Sequence, residues 1–597
     1  MPFRWDPREH VALGAHVLKW LALAGPTAAV IGTACALFLW ALEQATRLRF
    51  AQPWLLWLLP LAGALIAFLY TRFGHAAEGG NNLLMDAVHG QEQGDDSAVI
   101  VPGLMAPLIL TATVITHLFG GSAGREGTAV QMGGSIAALI SRRLGLNRED
   151  TRSLLLSGIA AGFAGVFGTP LTGTVFAMEV LTIGRMSYDA IIPCLIAAIV
   201  SNWTTLAWGG KHTHYVVTAV FMEASPAMSW LLVVKISAAA VCFGLASVLF
   251  AELTHSVSHA AKRLVRSPYL RPVMGGLLLI ALVHLLGTRD YLGLGVSAAQ
   301  PGAVTLVSAF QPGGADTWSW WWKLLFTALT LGTGFKGGEV TPLFFIGATL
   351  GNVLGQLLAA PADLFAALGF VAVFAGATNT PLACTIMGVE LFGSEYTLPF
   401  AIACFVAYLF SGHSGSYLSQ RIGTPKIAQP HLPPNASLRL ARELRPGVGI
   451  LSARLSSEGE QLMPHRRYAV HRQAIGQVRI YMTPSARRTT GRERGLWRLF
   501  GPPPLYMEII RAAKEHGLLN ATAHHSHYGY SGIQTDRLES PNPSLNLCVE
   551  IIGPHEELES FCRKHSELLH DKVIVFKELE RWQLHEQQDG AAAANAV

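Results

Sequence analysis

From residue 11 to about residue 422 apolar segments follow one another, and most are broken by glycine or proline before a full span is complete. A simple helix needs ~20 consecutive apolar residues to cross a hydrocarbon core of ~30 Å. Here breaks at Gly120-Gly121-Ser122-Ala123-Gly124, Gly168-Thr169-Pro170, Gly332-Thr333-Gly334, Gly337-Gly338 and Thr380-Pro381 fall within membrane-depth sequence. Irregular backbone at that depth is tolerated only where it is buried in protein or lines a polar cavity. Half-helices that aim their N-termini at a substrate are a habit of secondary transporters. The pattern predicts an all-helical polytopic membrane body with polar groups gathered inside it.

Charge marks where that body ends. Residues 426–597 hold 40 of the 83 charged side chains in 172 positions, nearly one in four, against about one in ten before them. A membrane domain over 1–423, a linker over 424–473, a soluble domain over 474–585 and a disordered tail over 586–597 follow. The first apolar stretch, about Val11–Leu42, is too long for a signal peptide and predicts a retained span. Five of the seven cysteines (Cys35, Cys194, Cys242, Cys384, Cys404) lie in apolar runs and read as small packing residues. No cysteine or histidine spacing predicts a structural zinc, and no cofactor is expected. The arginine-rich tail lacks aromatic interleaving, which argues against nucleic acid.

The membrane part repeats itself. Ala164-Gly165-Val166-Phe167-Gly168-Thr169-Pro170-Leu171 returns as Ala375-Gly376-Ala377-Thr378-Asn379-Thr380-Pro381-Leu382, 211 residues later, and the match runs on through Thr174/Thr385 to Glu179/Glu390. Upstream, Gly124-Arg125-Glu126-Gly127-Thr128 faces Gly337-Gly338-Glu339-Val340-Thr341. Two related halves follow, about 11–215 and 225–422. Broken helices at matching places favour an inverted relation.

An ionisable residue inside a span is costly and therefore a functional candidate. Glu126 opens a half-helix beside Arg125, where backbone N–H groups and the positive helix end favour an anion. Its carboxylate fits two roles: a stand-in for the transported anion that leaves when protonated, or an ordinary acid at a helix start. Glu339 has the same two readings. Glu179 and Glu390 read as helix caps or boundary residues. Asn81 and Asn82, after Gly79-Gly80, offer amide donors to an anion or cap a helix, and Tyr417 alone reads as an interfacial aromatic. Gly120-x-Ser122-x-Gly124 has nucleophile-elbow spacing without the strand that motif needs, and Gly412-His413-Ser414-Gly415 would need a partner such as His117, so no enzyme is predicted. The histidines of Lys211-His212-Thr213-His214 and His524-His525-Ser526-His527 read as solvated rather than metal-binding.

Gly124-Arg125-Glu126-Gly127, the glycine-rich half-repeat at Gly338 and the late Tyr417 together resemble the CLC family of anion channels and anion/proton antiporters, over residues 11–422. That resemblance implies an inverted repeat, a homodimer with one pore per subunit, a multi-pass place in the bacterial inner membrane and both termini in the cytoplasm. It implies that Glu126 is the gating glutamate and Tyr417 the residue closing the inner side of the anion site. The family strings GSGIP, GREGP and GxFxP read here as Gly80-Asn81-Asn82-Leu83-Leu84, Gly124-Arg125-Glu126-Gly127-Thr128 and Gly338-Glu339-Val340-Thr341-Pro342. With Asn81, Thr128 and Glu339 at these places the chain looks like the fluoride/proton (CLC-F) branch. The implied anion-binding set is Gly80, Asn81, Asn82, Arg125, Gly127, Thr128, Val340 and Tyr417. The implied gating and proton-transfer set is Glu126, Glu339 and Thr341, since Val180 stands where many chloride/proton exchangers carry an inner proton-transfer glutamate. Fluoride is small and tightly hydrated, so stripping its water demands dense donors. As the anion of a weak acid it is trapped in cells that HF enters, and export coupled to proton entry is the remedy.

In the tail, Gln477–Met482, Ala521–Tyr530, Leu545–Ile552 and Lys572–Leu579 read as strands, with helices over Pro504–Leu518 and His555–Leu569. This β-α-β-β-α-β order is ferredoxin-like. The opening Val478-Arg479-Ile480-Tyr481-Met482-Thr483 resembles a small uncharacterised bacterial family with a PII-like fold, often found beside fluoride exporters. It implies regulation by an unknown small ligand or protein. A chain ending near Pro430 is accordingly expected to transport alone. The expected partners are fluoride, protons and lipid, with chloride as the alternative ion. A membrane-anchored ligand sensor is the alternative of another class.

Overall fold

A computed structural model describes residues 7–93, 99–213, 215–218, 230–427, 432–433, 435–444, 468–482, 504–525, 529–531, 534–536, 547–570 and 572–586. It divides into two compact units, Met1–Leu451 and Ser452–Val597.

The first unit is a helical body whose outer faces carry apolar side chains such as Trp40, Leu61, Leu277, Leu285 and Phe410, which suits lipid. Its opening helix, Pro7–Ala51, extends well beyond the predicted Val11–Leu42. The two halves contribute matching tight helix pairs, Glu126–Leu144 against Arg148–Phe167 and Val340–Leu357 against Ala362–Thr378. Within the second half Phe344 and Phe370 stack at 4.0 Å, and packed rings tie one half to the other where Phe167 and Phe163 of the first reach Phe344 and Phe374 of the second.

The orientation of the halves follows from two carboxylates. Glu179 ends the short helix Pro170–Glu179 and accepts from the N–H groups of Leu382 (3.1 Å) and Ala383 (2.8 Å), at the start of Pro381–Phe392. Glu390, near the end of that second helix, accepts from Leu171 (2.9 Å) and Thr172 (2.8 Å), at the start of the first. Each helix therefore has its C-terminus at the other's N-terminus, so the two run antiparallel. Because these helices are the repeat pair, the repeat is inverted. Both acids act as caps, satisfying helix-start donors that lipid could not.

The glycine-rich breaks of the two halves cross at one point. Gly124 N–H donates to Gly338 O at 2.5 Å and Gly338 N–H returns a bond to Gly124 O at 2.9 Å, an antiparallel bridge. A Cβ on Gly338 would sit 2.8 Å from Gly127 N, against backbone that cannot yield. Gly338→Ala should therefore spread the crossing and remove most transport in liposomes while the protein still inserts. Wild-type flux from that variant would show that the close approach is dispensable.

Several expectations need correction. Cys35, Cys194, Cys384 and Cys404 are buried, but Cys242 is exposed. The sequence predicts a linker from Thr424, yet the chain folds straight back onto the membrane body. Arg421–Ile422 pair in parallel with Thr182–Ile183, and the helix Leu438–Glu443 packs Leu438 and Ala441 on Ile183 and Ile422. Lys426 donates to Asn379 Oδ1 and Tyr408 O, both at 2.6 Å, and Arg442 pairs with Glu252 at 2.6 Å. The local sequence is polar and proline-bearing because its partners are helix ends and carbonyls rather than an apolar face. A chain ending after Leu444 should thus elute on gel filtration as a single sharp species, whereas one ending near Pro430 should aggregate. Equal behaviour of the two would make this strap irrelevant.

In the second unit a four-stranded antiparallel sheet has the order Asn520–His525, Leu547–Gly553, Tyr468–Met482, Val573–Glu586. Helices Leu505–Glu515 and His555–Lys564 place Ile509 and Phe561 against Val478, Ile480, Val549 and Ile551. With strands numbered in chain order this is the 2-3-1-4 order of a ferredoxin-like α+β fold. The first strand begins at Tyr468, inside the expected linker, and the last reaches Glu586. The expected strand Ala521–Tyr530 stops at His525, and a separate small hairpin, Gly529–Ser531 with Gln534–Asp536, follows. Residues 587–597 lie outside the described residues.

Candidate functional site

Two helices start where the breaks cross. Arg125 is the N-cap of Glu126–Leu144 and Glu339 the N-cap of Val340–Leu357, so two sets of unpaired backbone donors meet at one place. Glu126 is fully buried there. Its Oε2 accepts from Thr341 Oγ1 at 2.5 Å, from Thr341 N–H at 3.2 Å and from Arg125 N–H at 3.4 Å, while Oε1 accepts from Arg125 Nε at 3.2 Å. The acid of one half therefore caps the helix of the other half. The two readings of Glu126 merge: it sits at a helix start, and the start belongs to the opposite repeat. Four donors around one carboxylate also fit a small anion of the same charge. Protonation would remove that charge and turn one oxygen into a donor facing donors, which releases the side chain.

Glu339 points toward a second group of residues. Its carboxylate meets the Tyr417 hydroxyl and the Asn81 side chain. Gly127 leaves the room: a Cβ there would lie 3.3 Å from Asn81 Nδ2 and 3.6 Å from Glu339 Oε2. A cavity of about 200 Å³ runs beside this group, bordered by Gly80, Asn81, Asn82, Lys336, Glu339 and Tyr417. Asn81 Oδ1 is buried without a hydrogen-bond partner.

Most predicted residues thus converge, with two adjustments. The Thr128 hydroxyl bonds Thr113 Oγ1 at 2.9 Å in a fully buried pair. Asn82 uses its Oδ1 to accept from Ser419 N–H at 2.9 Å, fixing the segment that carries Tyr417. Gln420, unnoticed in the sequence, anchors the same segment by donating to Val180 O (2.8 Å) and Thr378 O (2.9 Å). Val180 itself is buried and apolar, so position 180 offers no proton acceptor. The serine motifs are structural: Ser122 Oγ pairs with Thr327 Oγ1 and Ser414 Oγ with Glu252. His117 is buried among Arg49, Lys323 and Arg125 rather than beside Ser414. The described residues hold no cluster of three metal-ligand side chains.

Comparison with known proteins places this geometry. The family model for voltage-gated chloride channels matches residues 62–412. The chain belongs to the CLC family. Among CLC relatives, the "Chloride/fluoride channel protein" of Pseudomonas syringae pv. tomato is 49% identical over 428 residues, 71% of this chain and 90% of the relative. The crystal structure of a CLC-type fluoride/proton antiporter superposes with a TM-score of 0.61 at 34% identity, covering 70% of this chain and 99% of that one. A slow cyanobacterial Cl⁻/H⁺ antiporter, at 20% identity and a TM-score of 0.54 over 66% of this chain and 94% of that one, shares the fold. The CLC body is thus a multi-pass anion transporter rather than an enzyme. A second model, for the uncharacterised family DUF190, matches residues 498–581 of the soluble unit.

Proposed function

We propose that the chain exports fluoride in exchange for protons across the bacterial inner membrane and so confers fluoride resistance. The observation that carries this reading is the Glu126 carboxylate on four donors at the crossing of the two repeat halves. A group that competes with the anion for one seat and can carry a proton links the two movements by occupancy alone. Glu339, the N-cap two residues before Thr341, is the next protonatable group toward Tyr417 and supplies the inner step that position 180 does not. The amide of Asn81 and the hydroxyl of Tyr417 add donors suited to a hard anion. The names of the 49%-identical relative and of the 34%-identical structure support fluoride as the ion.

In this reading both termini are cytoplasmic, each subunit of a homodimer carries its own pathway, and the soluble unit adjusts the rate through a small ligand or partner. The test is thermodynamic. In voltage-clamped liposomes with equal fluoride on both sides, an imposed pH gradient should drive fluoride uphill. Fluoride that remains at equilibrium under that gradient would exclude coupled exchange.

A further inference from the structure

Three cationic side chains, Arg49, Arg289 and Lys323, gather near the break that leads to Glu126, and the proposed exchange does not use them. Pro53–Phe73 spans the distance between two cavities: Tyr70 lines the one beside Tyr417, while Pro53 and Leu56 line another, of about 420 Å³, with Arg49, Arg289, Asp290 and Gln300. Behind this second cavity lies Lys323, fully buried, whose Nζ donates to Tyr291 O (3.1 Å) and Gly293 O (2.7 Å). The Arg49 guanidinium rests against the same Gly293, where φ is +61° and any side chain would collide with it. One loop is thus gripped by an arginine on one side and a lysine on the other.

That loop and the Lys323 helix both reach the break leading to Glu126. Gly293 N–H donates to Gly121 O at 3.2 Å, and Ser122 is held by Thr327 Oγ1 and Thr330 Oγ1 at 2.9 and 3.1 Å. Arg289, Arg49, Lys323 and Arg125 therefore form a string of positive charge from the cavity rim to the Glu126 seat. Among the described residues only Arg125 of these four has an ion-pair partner, Glu126 itself. Asp290 lines the cavity but commits Oδ2 to Val304 N–H at 2.9 Å. Arg49 Nη1 is buried with no hydrogen-bond partner at all. A buried ammonium and a buried guanidinium nitrogen with no ion-pair partner in contact are costly unless an anion arrives to pair them. Carbonyl bonds orient Lys323 but leave its charge uncompensated.

We infer that this cavity is a second anion site, an outer antechamber in which Arg49, backed by the field of Lys323, holds a small inorganic monovalent anion before or after it passes Glu126. The inference rests on the anion-transport reading and adds a place for the ion that the Glu126 crossing does not provide. It makes Arg49 a binding residue and Lys323 a positioning residue that fixes the loop and deepens the local potential.

Two measurements on the full-length protein test it. Crystals grown in sodium bromide should show an anomalous peak in contact with Arg49 in the wild-type chain; a well-ordered site with no peak there overturns the proposal whatever the transport assays give. In right-side-out and inverted membrane vesicles, Arg49→Gln should raise the half-saturating fluoride concentration about tenfold on the Arg49 side only, the loss expected of one charged donor. Arg49→Lys should stay within about threefold of wild type, which a purely steric role for the guanidinium would not allow. A shift of equal size from both sides, or none from either, would make Arg49 a scaffold residue. If Arg49→Gln does not fold, the bromide experiment decides alone.

Discussion

Replacing Glu126 with glutamine should leave a protein that moves fluoride passively, if at all, and moves no protons uphill. The amide keeps the size of the protonated acid but brings an N–H toward the donors of Thr341 and Arg125, which now hold an acceptor at 2.5 to 3.4 Å. Donor against donor disfavours the docked position, so the side chain should stand away from the seat and leave it to the anion. The assay is lumenal pH under an outward fluoride gradient: wild type should acidify the lumen as fluoride leaves, and Glu126→Gln should not. Normal proton pumping by the variant would remove Glu126 from the mechanism. Thr341→Val, which deletes only the 2.5 Å hydroxyl, should weaken coupling less than Glu126→Gln does.

Asn81→Ser should cut the preference for fluoride over chloride by roughly ten- to a hundredfold, the loss of about 1.5–3 kcal/mol for a donor to a charged partner. The amide lies beside Glu339 and Tyr417 in the cavity they border, and serine is too short to reach the same point. Small, hard anions suffer most from a missing donor because their hydration is hardest to replace. The ratio of fluoride to chloride efflux from the same vesicles reads the effect. An unchanged ratio would assign selectivity elsewhere, first to Glu339, since the Thr128 hydroxyl is committed to Thr113.

What the sequence disclosed and what it hid divide along one physical line. Helix starts, breaks and the 211-residue repeat are local patterns, so the Glu126 half-helix and the paired halves were legible. The inverted relation and the capping by Glu179 and Glu390 were also readable as expectations, but the donors that fix them lie some 200 residues away and only the fold names them. The docking of Glu126 on Thr341 spans 215 positions and exists only because two glycines allow the breaks to cross. Nothing in the sequence showed that the Thr128 hydroxyl pairs with Thr113 on a neighbouring helix, because a motif position predicts where the backbone runs and not which partner a side chain finds. Residues 424–444 looked like linker because polar, proline-bearing sequence can satisfy helix ends as readily as water. Arg49 and Lys323 gave no signal, since Arg49 follows Arg47 at a polar helix end, Lys323 stands in an apolar run, and only the fold brings them to the same glycine.

The central claim is coupled exchange with fluoride as the ion. Purified full-length protein in liposomes, loaded in parallel with fluoride or chloride, should be followed by ion-selective electrode and lumenal pH together. The account predicts rapid fluoride efflux with matching proton entry, and chloride efflux slower by at least about tenfold. Equal efflux of the two halides, or fluoride efflux with no proton movement, would contradict it.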